Sequence, residues 1–169
     1  MNSQENNPDN KSAFRNQKSE ILIVGIGNHF RSDDAIGILV AEQIKQQHLP
    51  RVDVMTHNGE GASLMELWEG YRHVIIIDAV SSGAPPGTIH ILNPRKETIP
   101  TAFFHYSTHA FSLAEAIEVC RALGNLPQTM TIIGIEGENF EAGETLSSSV
   151  HAAMKTVVEE KIREIGSRM

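Results

Sequence analysis

The residues of this chain that could do chemistry are carboxylates and an imidazole placed where strands are predicted to end. Asp33 and Asp34 follow an apolar run and a Gly-Ile-Gly-Asn turn. Asp78 follows the β-branched run 74–77, and His109 directly precedes a predicted helix. The carboxyl ends of parallel strands meet at one edge of an open α/β sheet, where ligands bind. Two carboxylates and an imidazole at that edge would suit a divalent transition metal.

A structural role competes with the chemical one at each of these positions. One aspartate is enough to cap a helix start and offset its dipole, so one of the adjacent pair is left for the cleft. Asp78 could accept backbone N–H groups from the turn 81–83, although a carboxylate in a buried strand is costly unless it is paired or metal-bound. His109 could simply begin a helix, and His105 is its main competitor as a ligand.

Apolar patterning predicts the elements that must position these residues. Strands are predicted at 20–26, 52–56, 72–80, 88–92 and 129–135, and helices at 33–47, 62–69, 111–123 and 146–165. The alternation of strands and helices along the chain predicts a three-layer α/β/α sandwich around a five-stranded, mostly parallel but mixed sheet. The second strand is predicted nearer an edge. The link between the third and fourth strands is too short for a parallel crossover, so the fourth is predicted to run antiparallel to the third.

Composition favours one globular domain. A chain of 169 residues can bury one core, and we predict a domain at 20–169 preceded by a disordered polar tail at 1–19. The sequence has no apolar stretch of about 18 residues and no secretory signal. The single cysteine, Cys120, fits a reducing, cytoplasmic compartment and lies on the apolar stripe of a predicted helix, which favours core packing over catalysis. The net charge of −7 argues against a nucleic-acid partner.

Several familiar chemistries do not match the sequence. The segment 25–28 begins like a dinucleotide fingerprint, but its third glycine is missing and no acidic residue ends the second strand. A nucleotide-binding α/β enzyme is therefore the least favoured reading, and no cofactor-binding residue is assigned. The chain has no Gly-x-Ser-x-Gly elbow and no His-Glu-x-x-His helix. Glu136, Glu138 and Glu141 are predicted to form a solvated loop that borders the cleft.

Four segments together resemble the nickel–iron hydrogenase maturation protease family, endopeptidases that trim the C-terminus of the hydrogenase large subunit. The segments are 24–37, 77–88, 107–113 and 134–136, the last with the loop and long helix that follow it. Their order and spacing make the resemblance specific, and it spans about residues 20–165. The family's fold is an α/β/α sandwich, which agrees with the architecture predicted from the patterning.

The resemblance implies that Asp34, Asp78 and His109 contact nickel as the catalytic and metal-binding residues. It implies that the nickel is carried by the large-subunit precursor, so no permanently bound cofactor is expected. The expected partner is this nickel-loaded precursor, with neither nucleic acid nor membrane involved, and the expected reaction is removal of its C-terminal extension. The group that activates water stays unassigned. The main alternative is a non-catalytic nickel-checking or chaperone module on the same fold.

One segment departs from the family pattern. After the second strand many members show Asp-Gly-Gly-Thr, whereas this chain has His-Asn-Gly-Glu-Gly at 57–61. If the family's aspartate takes part in cleavage, Glu60 or His57 substitutes for it, or the chain belongs to a subgroup that serves another hydrogenase type. Taken alone, Asn58 and Gly59 are typical of a tight turn.

Overall fold

The computed structural model describes residues 19–104 and 111–166, so the predicted tail lies outside the described residues except for Ser19. Five strands alternate with four helices: β1 (Ile21–Ile26), α1 (Ile36–Lys45), β2 (Val52–His57), α2 (Gly61–Trp68), β3 (His73–Val80), β4 (Ile89–Leu92), α3 (Leu113–Ala122), β5 (Thr129–Glu136) and α4 (Ser148–Gly166). Two short 3-10 turns, Ser32–Ala35 and Thr101–Phe104, precede α1 and α3. The strands coincide with the β-branched runs, which suit a pleated, buried surface.

The five strands form one mixed sheet in the order β2-β1-β3-β5-β4. The pairs β1–β2, β1–β3 and β3–β5 are parallel, and β4 is antiparallel to β5. This confirms the predicted mixed sheet, the edge position of β2 and the reversed direction of β4. The neighbour of β4 is β5 rather than β3, because β5 inserts between the two strands that the short link connects.

Both faces of the sheet are covered, which makes the three predicted layers. Leu22 and Ile76 pack on the face that holds α2 and α3, whereas Ile23 and Ile77 pack on the face that holds α1 and α4. Successive strand residues point to opposite faces, and a parallel sheet buried on both sides therefore reads as a continuous apolar run. No helix in the described part of the chain is both long and apolar enough to cross a bilayer.

The start of the helix predicted at 33–47 differs from the prediction. The first turn is a 3-10 turn, and α1 begins only at Ile36. The backbone N–H groups of Ser32 and Asp33 donate to the carbonyls of Gly143 and Asn139, at 2.8 and 2.9 Å. The chain is therefore drawn toward the loop between β5 and α4 before the regular helix begins.

Cys120 is buried on α3, within the core cluster that contains Trp68, Leu113 and Ile117. This confirms the predicted core position. Burial raises the pKa of the Cys120 thiol, and a contact with the Trp68 side chain only partly opposes that effect. A raised pKa keeps the thiol protonated and unreactive near neutral pH.

We expect Cys120→Ala to lower the free energy of unfolding by about 1 kcal/mol, the usual scale for a small core truncation. The expected peptide-bond cleavage should be unchanged, because the side chain packs in the core cluster with Trp68, Leu113 and Ile117. Urea denaturation and a cleavage assay on the same preparation measure the two effects. A well-folded variant that has lost cleavage would show that the thiol has a chemical role.

Candidate active site

A cavity of about 440 Å³ opens where the parallel strands of the sheet end. The ends of β1 and β3 form its floor through Ile26 and Asp78, and the turn after β2 contributes Asn58 and Gly59. The turn after β1 supplies most of the remaining wall: Gly27, Asn28, His29, Phe30, Arg31 and Asp34. Its apolar lining and convergent polar groups are the usual composition of a binding site in an α/β fold.

Asp34 and Asp78, the two carboxylates singled out from the sequence, line this cavity together. Asp78 is the sixth residue of β3 and shares a sheet face with Ile76 and Val80, toward α2 and α3. Asp34 lies in the 3-10 turn that enters α1. Strand-end position thus brings two acidic side chains from separate sequence motifs to one place.

Asp78 is held in a setting that disfavours its charged form. The side chain is 8% exposed, and among the described residues its one hydrogen bond comes from the backbone N–H of Ala79, at 2.8 Å. Burial first, and the negative charge of Asp34 second, raise the pKa of Asp78 well above its usual value. The single N–H of Ala79 opposes this effect only in part, so a nearby cation would strongly favour the ionised form.

Asp34 is half-buried, and burial raises its pKa as well. The Arg31 guanidinium and the backbone N–H of Asn28 partly oppose that effect. Arg31 is itself engaged, because its Nε and Nη2 donate to the carbonyl of Phe140 at 3.3 Å. The two carboxylates therefore repel each other with limited compensation, and oxygen ligands of this kind fit a divalent cation.

Asp33 has a structural role within the fold, whereas its neighbour Asp34 lines the cavity. Asp33 is fully buried, and its Oδ2 accepts the backbone N–H groups of Glu138 and Asn139, both at 2.9 Å. Ser147 donates to it twice, from its backbone N–H at 2.7 Å and its hydroxyl at 2.9 Å. Asp33 thus joins the turn after β1 to the loop between β5 and α4, and holds Asp34 at the cavity.

The glycines of the first motif explain how α1 comes so close to the sheet. Gly27 has a φ of +152°, and a Cβ atom there would lie 1.9 Å from the Asp34 carbonyl oxygen. A Cβ atom on Gly37 would lie 2.2 Å from the Ile77 carbonyl oxygen. These contacts account for the motif without a phosphate ligand, since only glycine permits such an approach of backbone to backbone.

The loop 57–61, which departs from the family pattern, forms a turn. His57 and Glu60, the two candidates to replace the family's aspartate, both make hydrogen bonds to α2. Glu60 caps α2, accepting the N–H groups of Ala62 and Ser63 at 2.9 and 2.8 Å. His57 accepts the N–H of Gly59 at its Nδ1 and contacts the Ser63 hydroxyl through its Nε2. From this loop it is Asn58 and Gly59 that line the cavity.

His109, the predicted imidazole ligand, and its competitor His105 lie outside the described residues. Phe104, directly before the undescribed segment 105–110, and Ser112, two residues after it, both line the cavity. Within residues 19–104 and 111–166, no group of three or more His, Cys, Asp and Glu side chains could hold a metal ion. The set of three ligands therefore stays a prediction.

The prediction that Glu136 belongs to a solvated loop is wrong. Glu136 is the last residue of β5 and is 2% exposed, whereas Glu138 and Glu141 are exposed as predicted. Glu136 accepts the N–H groups of Ser82 and Gly83 at 2.8 and 2.9 Å. Its other contacts are the Ser82 hydroxyl at 2.7 Å and the His90 Nε2 at 3.2 Å. The turn 81–83, the alternative partner of Asp78, thus donates the N–H groups of Ser82 and Gly83 to Glu136 and not to Asp78.

The fold and the cavity define an α/β/α domain with two acidic residues at the strand ends. A family model described as hydrogenase maturation protease matches residues 38–164. The hydrogenase 2 maturation protease of Escherichia coli (strain K12) is 31% identical over 144 residues, covering 83% of this chain and 87% of that protein. This chain therefore belongs to the hydrogenase maturation protease family.

Solved structures of relatives support the same assignment. The hydrogenase maturating endopeptidase HybD from E. coli aligns with a TM-score of 0.72 and 26% identity, over 88% of this chain and 93% of that one. The NiFe hydrogenase maturation protease HycI from Thermococcus kodakarensis KOD1 aligns with a TM-score of 0.68 and 28% identity, over the same shares. The predictions of family, α/β fold and endopeptidase activity are confirmed.

Proposed function

We propose that this endopeptidase removes the C-terminal extension of a nickel-loaded hydrogenase large-subunit precursor and recognises the precursor by its nickel. The observation that carries the proposal is the pair Asp34 and Asp78, two acidic side chains whose pKa values are raised in a shared cavity. Each carboxylate is costly in its charged form on its own. A divalent ion that arrives with the substrate offsets that cost and favours the ionised form of both.

Asp34, Asp78 and His109 are the residues that we propose to contact the nickel, the histidine on the resemblance alone. Two carboxylates and one imidazole without a thiolate form a modest ligand set for nickel. We therefore propose that the metal belongs to the precursor and that the enzyme keeps no resident cofactor. The cavity walls then hold the peptide next to the nickel in a fixed orientation, which lowers the entropic part of the barrier to cleavage.

The proposed partner is the large-subunit precursor, and the proposed compartment is the cytoplasm. The single cysteine is reduced and buried, as suits a reducing compartment. We propose no nucleic-acid or membrane partner, since the net charge of −7 would repel phosphate backbones and anionic lipids.

The test compares the two forms of one precursor. Nickel-loaded precursor should lose its C-terminal extension, as measured by intact-mass spectrometry, and nickel-free precursor should stay uncut over the same time. Enzyme treated with a chelator and then freed of it should keep full activity, because its nickel comes from the substrate. Efficient cutting of the nickel-free precursor, or inactivation by the chelator with rescue by zinc, would instead identify an ordinary metalloprotease.

A further inference from the structure

The mouth of the cavity carries an unusually exposed aromatic side chain. Phe30 is 68% exposed and belongs to the cavity lining. Leaving a phenylalanine in water forgoes roughly 2 kcal/mol of burial energy. A single exposed apolar residue on open surface is ordinary, but one that lines a cleft with other apolar groups is a candidate binding contact.

Phe30 stands on a turn whose backbone is fixed. Its N–H donates to the side-chain Oδ1 of Asn28 at 2.9 Å, and its carbonyl accepts the N–H of Gly143 at 2.9 Å. The N–H of the next residue, Arg31, donates to the Asn28 carbonyl at 3.2 Å. The aromatic ring is therefore presented by an ordered backbone, so its contact with a partner costs little further ordering.

The surroundings of Phe30 have the composition of an interface centre. Arg31 follows it directly and is held on the Phe140 carbonyl, and Phe104 and Leu113 form apolar wall in the same cavity. Aromatic and arginine side chains are enriched where protein interfaces concentrate their binding energy.

We propose that Phe30 is the docking anchor for the precursor, packing against an apolar side chain of the precursor close to its nickel centre. This inference rests on the proposed function. The occupant follows from position, because Phe30 lines the cavity shared by Asp34 and Asp78. Any partner packed on Phe30 also covers that cavity, so a second copy of this chain would block the site, whereas the substrate would enter it.

The experiment measures processing rates across a range of nickel-loaded precursor concentrations. Phe30→Ala should raise KM on the order of tenfold with little change in kcat, because it removes a binding contact rather than a reacting group. Phe30→Leu should recover most of the loss. The matched control is Leu123→Ala, an apolar residue that is 63% exposed just beyond α3 and outside the cavity lining, and its KM should equal the wild-type value.

A direct binding measurement separates this inference from the proposed function. Interferometry with immobilised precursor should give a Kd about tenfold weaker for Phe30→Ala than for wild type and Leu123→Ala. If wild type binds but does not cut the precursor, the proposed function fails while the anchor is still tested by Kd. An unchanged Kd in Phe30→Ala, equal weakening in Leu123→Ala, or no binding by wild type would each overturn the anchor.

Discussion

Replacement of Asp78 by asparagine is expected to abolish precursor processing and to leave a folded protein. The asparagine keeps the shape of the side chain, and its Oδ1 still accepts the N–H of Ala79. It removes the negative charge that we propose to contact the nickel of the precursor. The loss should be at least about 100-fold, which is the upper end of what removal of even an outer-shell partner of a metal ligand costs. Single-turnover cleavage with circular dichroism on the same sample measures both outcomes.

The same substitution should change how the stability of the metal-free protein depends on pH. The raised pKa of Asp78 means that the folded state binds this proton more tightly than the unfolded state. The free energy of unfolding therefore falls as pH rises from the ordinary aspartate pKa through the raised one. Asp78→Asn lacks this contribution, so it should be more stable than wild type above the raised pKa, with the difference closing toward acid pH.

Urea denaturation of wild type and Asp78→Asn across a pH series tests the sign of this difference in unfolding free energy. A wild-type protein that is more stable than Asp78→Asn at neutral pH would indicate a structural carboxylate. Other groups of the folded protein would then stabilise the buried charge, and the proposal for Asp78 would lose its physical basis.

Most of the fold was predictable because its signals are local. Each central strand is a nearly continuous apolar run rich in β-branched residues, and the helices follow from apolar periodicity and from stop signals such as the glycine after the third helix. The neighbour of β4 was not predictable in this way, since it depends on the insertion of β5, which begins at Thr129, long after β4 ends at Leu92.

The candidate site was predictable in part for a related reason. The strand-end rule placed Asp34 and Asp78 at one edge, whereas the structural duties of Asp33 depend on residues more than 100 positions away. The burial of Glu136 was not predictable from composition, because an acidic, glycine-containing stretch is typical of a solvated loop. The alternation of Ile132, Gly134 and Glu136 on one strand face was the available signal. The sequence holds no signal for Phe30, because the exposure of this side chain is a property of the folded turn.

Asp33→Asn and Asp34→Asn change the same atom in neighbouring residues, and we expect opposite effects on stability. In Asp33→Asn an amide nitrogen replaces one oxygen of a fully buried carboxylate, an oxygen that accepts N–H groups from Glu138, Asn139 or Ser147. At least one donor is left without an acceptor, which should lower the free energy of unfolding by about 3 kcal/mol. In Asp34→Asn the raised pKa indicates that a charge held at a cost is removed, so stability should be kept or slightly increased.

The effects on processing should separate the two variants further. Asp34→Asn should lose at least about 100-fold in processing at temperatures where it is fully folded, because it loses a proposed contact to the precursor's nickel. Asp33→Asn keeps that contact, so at low temperature it should cut faster than Asp34→Asn, and it should lose activity on warming as its fold is lost. Thermal denaturation and cleavage measured at two temperatures distinguish these patterns. Full activity in Asp34→Asn would remove that carboxylate from the site, since a metal contact depends on the charge that asparagine lacks.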